Sequence, residues 1–391
     1  MAPIRTALHP IGAAVTVAEL TADPHPRLAQ LREREPVSWL PALDGWLVTR
    51  HDLALRVLRD ATTFTVDDPR FSTGRLVGRS MLTSDGPEHA RHRHPFVRPF
   101  GRDAVHERFT ALVQAEADRL LDATGDGRAE LRRGYAGPLA AAVAASALGL
   151  EHLETGTILR WYDAIVASVS AISAGKPAAS TGTAAAARLR ESVVEALDRG
   201  PRDSPLAAAC ASGELTPEAV ASNAAVLLFG GIETTEGMIA NAVVHLLAHP
   251  DQLAVVRADR AALPNAIEES LRFEPAAAVV DRYATRDVRV ADAAIGGGDL
   301  VRVSIAAANR DPAIFAEPER FDVRRRNAGR HLAFARGVHV CIGMHLARLE
   351  ARIAIERLLD RLPGLRLDPE QPVAPRGLVF RKPPAVPVRW G

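Results

Sequence analysis

One uninterrupted helical run, LTPEAVASNAAVLLFGGIETTEGMIANAVVHLLAHP (215–250), constrains this chain more than any other stretch. Thr216 is placed to cap the first free N–H groups. Pro217 stands at the first helical position, where proline is best tolerated. No proline follows until His249-Pro250, so the helix spans ~30 residues and about 45–50 Å, enough to cross a whole domain. Its most membrane-like part, 218–233, is shorter than the roughly 18 apolar residues that a membrane span needs. The chain therefore reads as soluble, with no membrane segment.

Helical periods dominate from 87 to about 263. LVQAEADRLLDAT (112–124) and ARLRESVVEALDRG (187–200) are amphipathic, the second closed by Gly200. SAISAGKPAASTGTAAAA (170–187) is small, polar and broken by Gly and Pro. It reads as a loop between helices, with the alternative that its alanine run opens the next helix. GMHLARLEARIAIERLLDRL (343–362) carries an apolar stripe of Leu346, Leu349, Ile353 and Leu358. Strand signals are fewer. PVSWLPALDGWLVTR (36–50) alternates around Asp44-Gly45 as a hairpin would, and 279–304 shifts toward strands, with AIGGGDLVRVSI (294–305) read as a hairpin. The tail, 373–390, returns to short strands. The expected fold is mainly α with small β-sheets (α+β), one domain over 1–391, its β part built from both chain ends and 279–304.

Charge excludes some roles. Forty-eight Lys and Arg against 47 Asp and Glu leave a net charge of +1, so nothing draws the whole chain to nucleic acid or to an anionic membrane. Arginines gather at 91–102 and 324–330. The opening residues, MAPIRTALHPIGAAV, hold only a short apolar run broken by prolines, unlike a signal peptide. Two cysteines, Cys210 and Cys341, build no disulfide framework, which points to a reducing cytoplasm.

Cys341 stands in FARGVHVCIG (334–343), just before an amphipathic helix. A helix N-terminus lowers a thiol's pKa and favours the thiolate, the form that ligates metal. Gly337 permits a turn with positive φ, Gly343 lets the backbone come close to a flat partner, and Phe334 shields the sulfur. This suits a single-thiolate iron site. An iron–sulfur cluster needs about four cysteines, and covalent haem attachment needs a second cysteine where Met344 stands. Zinc held by His331, His339, Cys341 and His345 lacks the paired spacing of structural zinc. A small buried hydrophobe and a nucleophile with a histidine base stay open at this point.

The loop resembles the haem-binding loop of the cytochrome P450 superfamily, Phe-x-x-Gly-x-His-x-Cys-x-Gly, at Phe334, Gly337, His339, Cys341 and Gly343. Three further segments resemble the family in the same order. Gly230, Gly231, Glu233 and Thr234 match the acid–threonine motif of its central helix. Glu269 and Arg272 match its Glu-x-x-Arg pair, with Arg320 in EPERFD as the expected third member. His89 and Arg93 match its His-x-x-x-Arg segment.

The resemblance implies a bacterial-type soluble haem–thiolate monooxygenase carrying haem b (iron protoporphyrin IX). Cys341 is the implied axial iron ligand, and His89, Arg93, Arg282 and His339 the implied propionate contacts. Phe334 and Gly337 shape the loop, Glu233 and Thr234 deliver protons, and Glu269, Arg272 and Arg320 hold the fold around it. By the same analogy Val226, Phe229, Gly230, Ala278, Val280 and Leu378 line a pocket for a hydrophobic small molecule. The chain has no flavin or nicotinamide domain, so electrons are expected from a ferredoxin or a flavodoxin with its reductase, docking on the arginine-rich segments. The Glu233-Thr234 pair weighs against a dedicated peroxide user and against a haem sensor.

Overall fold

The long helix runs Pro217–Ala248, 32 residues. Thr216 Oγ1 accepts from the Ala219 N–H at 3.3 Å, the side-chain cap expected of it. This is a computed structural model, and it describes residues 2–173, 177, 179–199 and 205–391. The chain divides into two compact units: Met1–Val66, Gly237–Cys341 and Gly364–Arg389 form the first, and Asp67–Glu236, Ile342–Pro363 and Trp390–Gly391 the second.

The first unit holds a five-stranded sheet. Val37–Leu40 and Gly45–Val48 pair antiparallel around Asp44, whose φ of 45° places it in the left-handed region that turns favour. Leu300–Ser304 runs parallel to Gly45–Val48, with Trp46 opposite Val301, and antiparallel to Val279–Ala284; Phe64–Thr65 closes the far edge. The hairpin expected at 294–305 is corrected. Ala293–Ile295 pairs backward with Val288–Val290, which frees Leu300–Ser304 to enter the middle of the large sheet. Three glycines, 296–298, part the two strands. The tail pairs with itself, Arg366–Leu367 against Pro387–Arg389. Trp39, Trp46, Phe64, Val301 and Val303 lead one apolar cluster, and Leu20, Leu28, Leu31 and Leu40 another.

The second unit is helical. Arg102–Asp122 packs on Met344–Arg361, and Thr155–Ser173 on Ser180–Arg199. The loop expected over 170–187 is therefore shorter: helix continues to Ser173, and the alanine run belongs to the next helix from Ser180. Its centre, 174–176 and 178, and the cap expected of Gly200 lie outside the described residues. A π-helical turn, Arg132–Ala136, precedes the helix Gly137–Leu148, and the Tyr135 hydroxyl donates to the Ala354 carbonyl at 2.9 Å. No helix among the described residues is long and apolar enough to cross a membrane.

Candidate active site

The cysteine loop, as far as Cys341, lies in the first unit. Gly337 has φ +79°, and a Cβ there would stand 2.4 Å from the Leu58 carbonyl oxygen, so both backbone conformation and space demand glycine. The Cys341 N–H donates to the Phe334 carbonyl at 2.9 Å and closes the loop. Phe334 is buried, its ring 5.8 Å from that of His331. Cys341 is in no disulfide. His339, Val340 and Cys341 are half-buried, although two of the three are apolar. Arg282 is buried on the strand Val279–Ala284 and donates to the Asp281 carbonyl at 2.7 Å.

The other expected pocket residues of this unit touch its two apolar clusters. Ala278 belongs to the Leu20–Leu28–Leu31 cluster, Leu378 packs against it, and Val280 packs against the tryptophan cluster.

Glu269 and Arg272 form a bidentate pair with no solvent exposure, at 2.7 and 2.8 Å. The expected third member is corrected. Arg325, not Arg320, reaches Glu269, its Nε 3.0 and 3.1 Å from the two oxygens. The Arg320 side chain is 60% exposed and lies 3.5 Å from Glu317. Arg320 contributes its backbone carbonyl instead, which accepts from both Arg272 and Arg325 at 3.0 Å.

The second unit holds the remaining candidates. His89 and Arg93 stand one turn apart on Gly86–Val97, with His89 buried. That helix is fixed to the long helix through Asn223, whose Nδ2 lies 2.8 Å from His92 Nδ1 and whose Oδ1 accepts from the Met81 N–H at 2.8 Å. On the long helix the Thr234 hydroxyl donates to the Gly230 carbonyl one turn back, at 2.6 Å. Glu233 is buried and accepts from the Tyr162 hydroxyl. Val226 and Phe229 are buried. A Cβ on Gly230 would meet no described atom within 4 Å, so the helix faces open space there; the same holds at Gly343.

These features fit haem b. Among the described residues no three His, Cys, Asp or Glu side chains converge as a metal cluster would require, which leaves the zinc alternative without a ligand set. A single thiolate in a half-open apolar loop suits an iron whose other ligands come from a planar macrocycle.

The family model described as Cytochrome P450 matches residues 197–385. The chain is 37% identical to cytochrome P450 monooxygenase PikC of Streptomyces venezuelae over 95% of this chain and 92% of that protein. It is 34% identical to the 6-deoxyerythronolide B hydroxylase of Saccharopolyspora erythraea over 92% and 94%. The chain belongs to the cytochrome P450 family. Among solved structures, the post-tailoring hydroxylase HmtN of himastatin biosynthesis superposes with a TM-score of 0.82 at 33% identity, covering 96% of this chain and 100% of that one. This P450 is thus an oxidoreductase, a haem-b monooxygenase that acts on small molecules with electrons supplied from outside the chain.

Sequence reasoning missed several residues of this P450. Glu236 lies three positions after Glu233, hence on the same helix face, and an acid there in an apolar helix was a legible signal. Asn223 gave the same kind of signal. Tyr162 gave none, because its partners lie 71 and 74 residues away.

Proposed function

We propose that this P450 is a cytoplasmic enzyme, one domain over 1–391, which oxidises a hydrophobic small molecule of medium or large size. Haem, when bound, supplies the iron at which dioxygen is activated for insertion into a carbon–hydrogen bond. Cys341 holds that iron as thiolate, and the N–H groups of its loop temper the sulfur's charge. His89, Arg93, Arg282 and His339 hydrogen-bond the propionates, the arginines as fixed cations. Val226, Phe229 and Gly230 present an apolar wall to the substrate, and the empty Cβ position at Gly230 adds room. One relative is a 6-deoxyerythronolide B hydroxylase, in keeping with a small-molecule substrate of this kind.

Glu233 and Thr234 move a proton from the protein to the reacting oxygen. The observation that carries this function is the buried Glu233 carboxylate beside the half-buried Thr234 hydroxyl, one turn from the open position at Gly230. Electrons come from a ferredoxin or flavodoxin with its reductase.

The test has two arms. Reduced wild-type holoprotein exposed to carbon monoxide gives the thiolate-type absorption band, and Cys341→His loses it. Thr234→Ala keeps that band, but its product per electron falls ~10-fold or more and hydrogen peroxide takes up the difference. A histidine-type band in the wild type ends the thiolate assignment, and a fully coupled Thr234→Ala ends the proton role.

A further inference from the structure

Glu233 is 2% exposed, and a buried carboxylate that gives up a proton needs a path by which to regain one. That path is visible within the second unit. The Tyr162 hydroxyl donates to Glu233 Oε2 and lies 3.4 Å from Oε2 of Glu236, the next acid along the same helix face. Tyr162 is 2% exposed and Glu236 not at all. The other oxygen of Glu236, Oε1, looks toward the π-helical turn: Arg132 Nε is 3.3 Å away and Arg133 Nε 3.6 Å. A Cβ on Gly137 would stand 3.0 Å from that oxygen, so a glycine there lets the turn come this close. Single π turns recur at functional sites. Arg133 also pairs with Asp163 at 2.6 Å, and these two side chains are 39% and 52% exposed. The series thus runs from solvent to the centre of the long helix.

We propose that Glu236 and Tyr162 form the proton-entry route to Glu233, with Arg133 as its gate. The inference rests on the role given above to Glu233 and Thr234. When Arg133 turns its Nε away from Glu236 while keeping its bond to Asp163, Glu236 is opened to water on that side, with Arg132 still beside it, and takes a proton. Tyr162 accepts that proton on its oxygen as it passes its own phenolic proton to Glu233. One O–H bond forms for each that breaks, one proton crosses, and no electron moves. Arg133 itself keeps its protons and acts only by position.

Burial, followed by the charges of Glu233 and Glu236, raises the Tyr162 pKa far above its ordinary value. The phenol therefore stays neutral, with one proton to give and a lone pair to receive. A tyrosine with a purely structural role would serve equally well without its hydroxyl if packing were kept. Here the hydroxyl contacts both acids.

Tyr162→Phe tests this, because it keeps the ring and deletes only the relay atom. With dioxygen and an electron partner, product per electron falls ~10-fold or more, while hydrogen-peroxide-driven turnover, which needs no delivered proton, stays unchanged. A second readout is independent of turnover. In holoprotein with ¹³C-labelled glutamate, the infrared carboxyl bands of the buried acids respond ~10-fold more slowly to a pH jump in Tyr162→Phe than in wild type. Glu236→Gln reproduces both effects. If its haem-loaded yield drops, Tyr162→Phe alone carries the test. Unchanged coupling and an unchanged infrared response in Tyr162→Phe overturn the route. Should Thr234→Ala uncouple while Tyr162→Phe does not, the acid–hydroxyl pair stands and only this route is wrong. Should neither uncouple, both fall.

Discussion

Glu269 and Glu236 are both fully buried carboxylates that face two arginines, and they are held differently. Glu269 receives Arg272 at 2.7 and 2.8 Å, Arg325 at 3.0 and 3.1 Å, and the Asp322 N–H at 3.0 Å. The arginines are held in turn: Arg272 spends its remaining N–H groups on the carbonyls of Asn309, Pro318 and Arg320, and Arg325 donates three more hydrogen bonds, to the carbonyls of Ala316, Glu317 and Arg320. Glu236 has its arginine nitrogens at 3.3 and 3.6 Å, a hydroxyl at 3.4 Å, and a gating guanidinium that reaches the surface. A closely bonded buried cluster fixes loops and excludes water. A looser one, open at one end, leaves room for a proton to enter. Both carboxylates are buried beside two arginines; the closeness of the arginine contacts, 2.7–3.1 Å at Glu269 against 3.3 and 3.6 Å at Glu236, separates structure from chemistry.

The largest expected effect breaks the closed cluster. Arg325→Ala leaves Glu269 short of a counter-charge and the Ala316 and Glu317 carbonyls without the donor they share, and destabilises the holoprotein by about 3–5 kcal/mol in urea denaturation. The matched change in the open cluster, Arg133→Ala, removes a side chain that is 39% exposed and alters stability by less than about 1 kcal/mol. Equal losses from the two variants would erase the distinction.

A second closed cluster sharpens the comparison through pH. Glu274 accepts from Arg381 at 2.9 Å and lies 2.8 Å from His25 Nε2. Burial alone would push its carboxyl up; the hydrogen bond and charge of His25, with Arg381, reverse this and bring it from 4.5 to about 2. The folded value is the lower one, so the stabilisation is fully present above about 4.5 and is lost as pH falls toward about 2. Across that window Glu274 accounts for roughly 3 kcal/mol. Urea midpoints from pH 6 down to 3 should show a steeper acid loss in wild type than in Glu274→Gln, which starts lower and changes less. Parallel acid profiles would show that this cluster does not hold its carboxylate as described.

Local signals made much of the molecule legible. Thr216-Pro217 and His249-Pro250 bounded the long helix within a residue, since caps and prolines act on adjacent backbone. The cysteine loop was legible because Gly337 is demanded by its own backbone and by the Leu58 carbonyl. What stayed hidden depends on partners distant in sequence. Leu300–Ser304 has the alternation of any half-buried strand, and only the sheet decides that it pairs with Gly45–Val48 rather than with the segment beside it. Tyr162 looks like any aromatic on an amphipathic helix until the long helix brings two acids to it. The third member of the Glu269 cluster was misassigned for a related reason. FDVRRR (321–326) has no repeat that sets which arginine turns inward, and the Glu317–Arg320 spacing invites an ion pair that forms on the surface instead.

That misassignment yields the smallest expected effect and the finest test of the comparison. Arg320 contributes to the closed cluster only through its carbonyl, which accepts from Arg272 and Arg325 at 3.0 Å, and alanine keeps that carbonyl. Its side chain is 60% exposed and its ion-pair partner Glu317 is 75% exposed, so solvent screens the 3.5 Å contact almost completely. Arg320→Ala should therefore stay within about 0.5 kcal/mol of wild type and load haem normally, while Arg325→Ala, five positions on, does neither. A loss of several kcal/mol on Arg320→Ala would mean that its guanidinium, rather than that of Arg325, neutralises Glu269. The inward and outward arginines of this loop would then be exchanged.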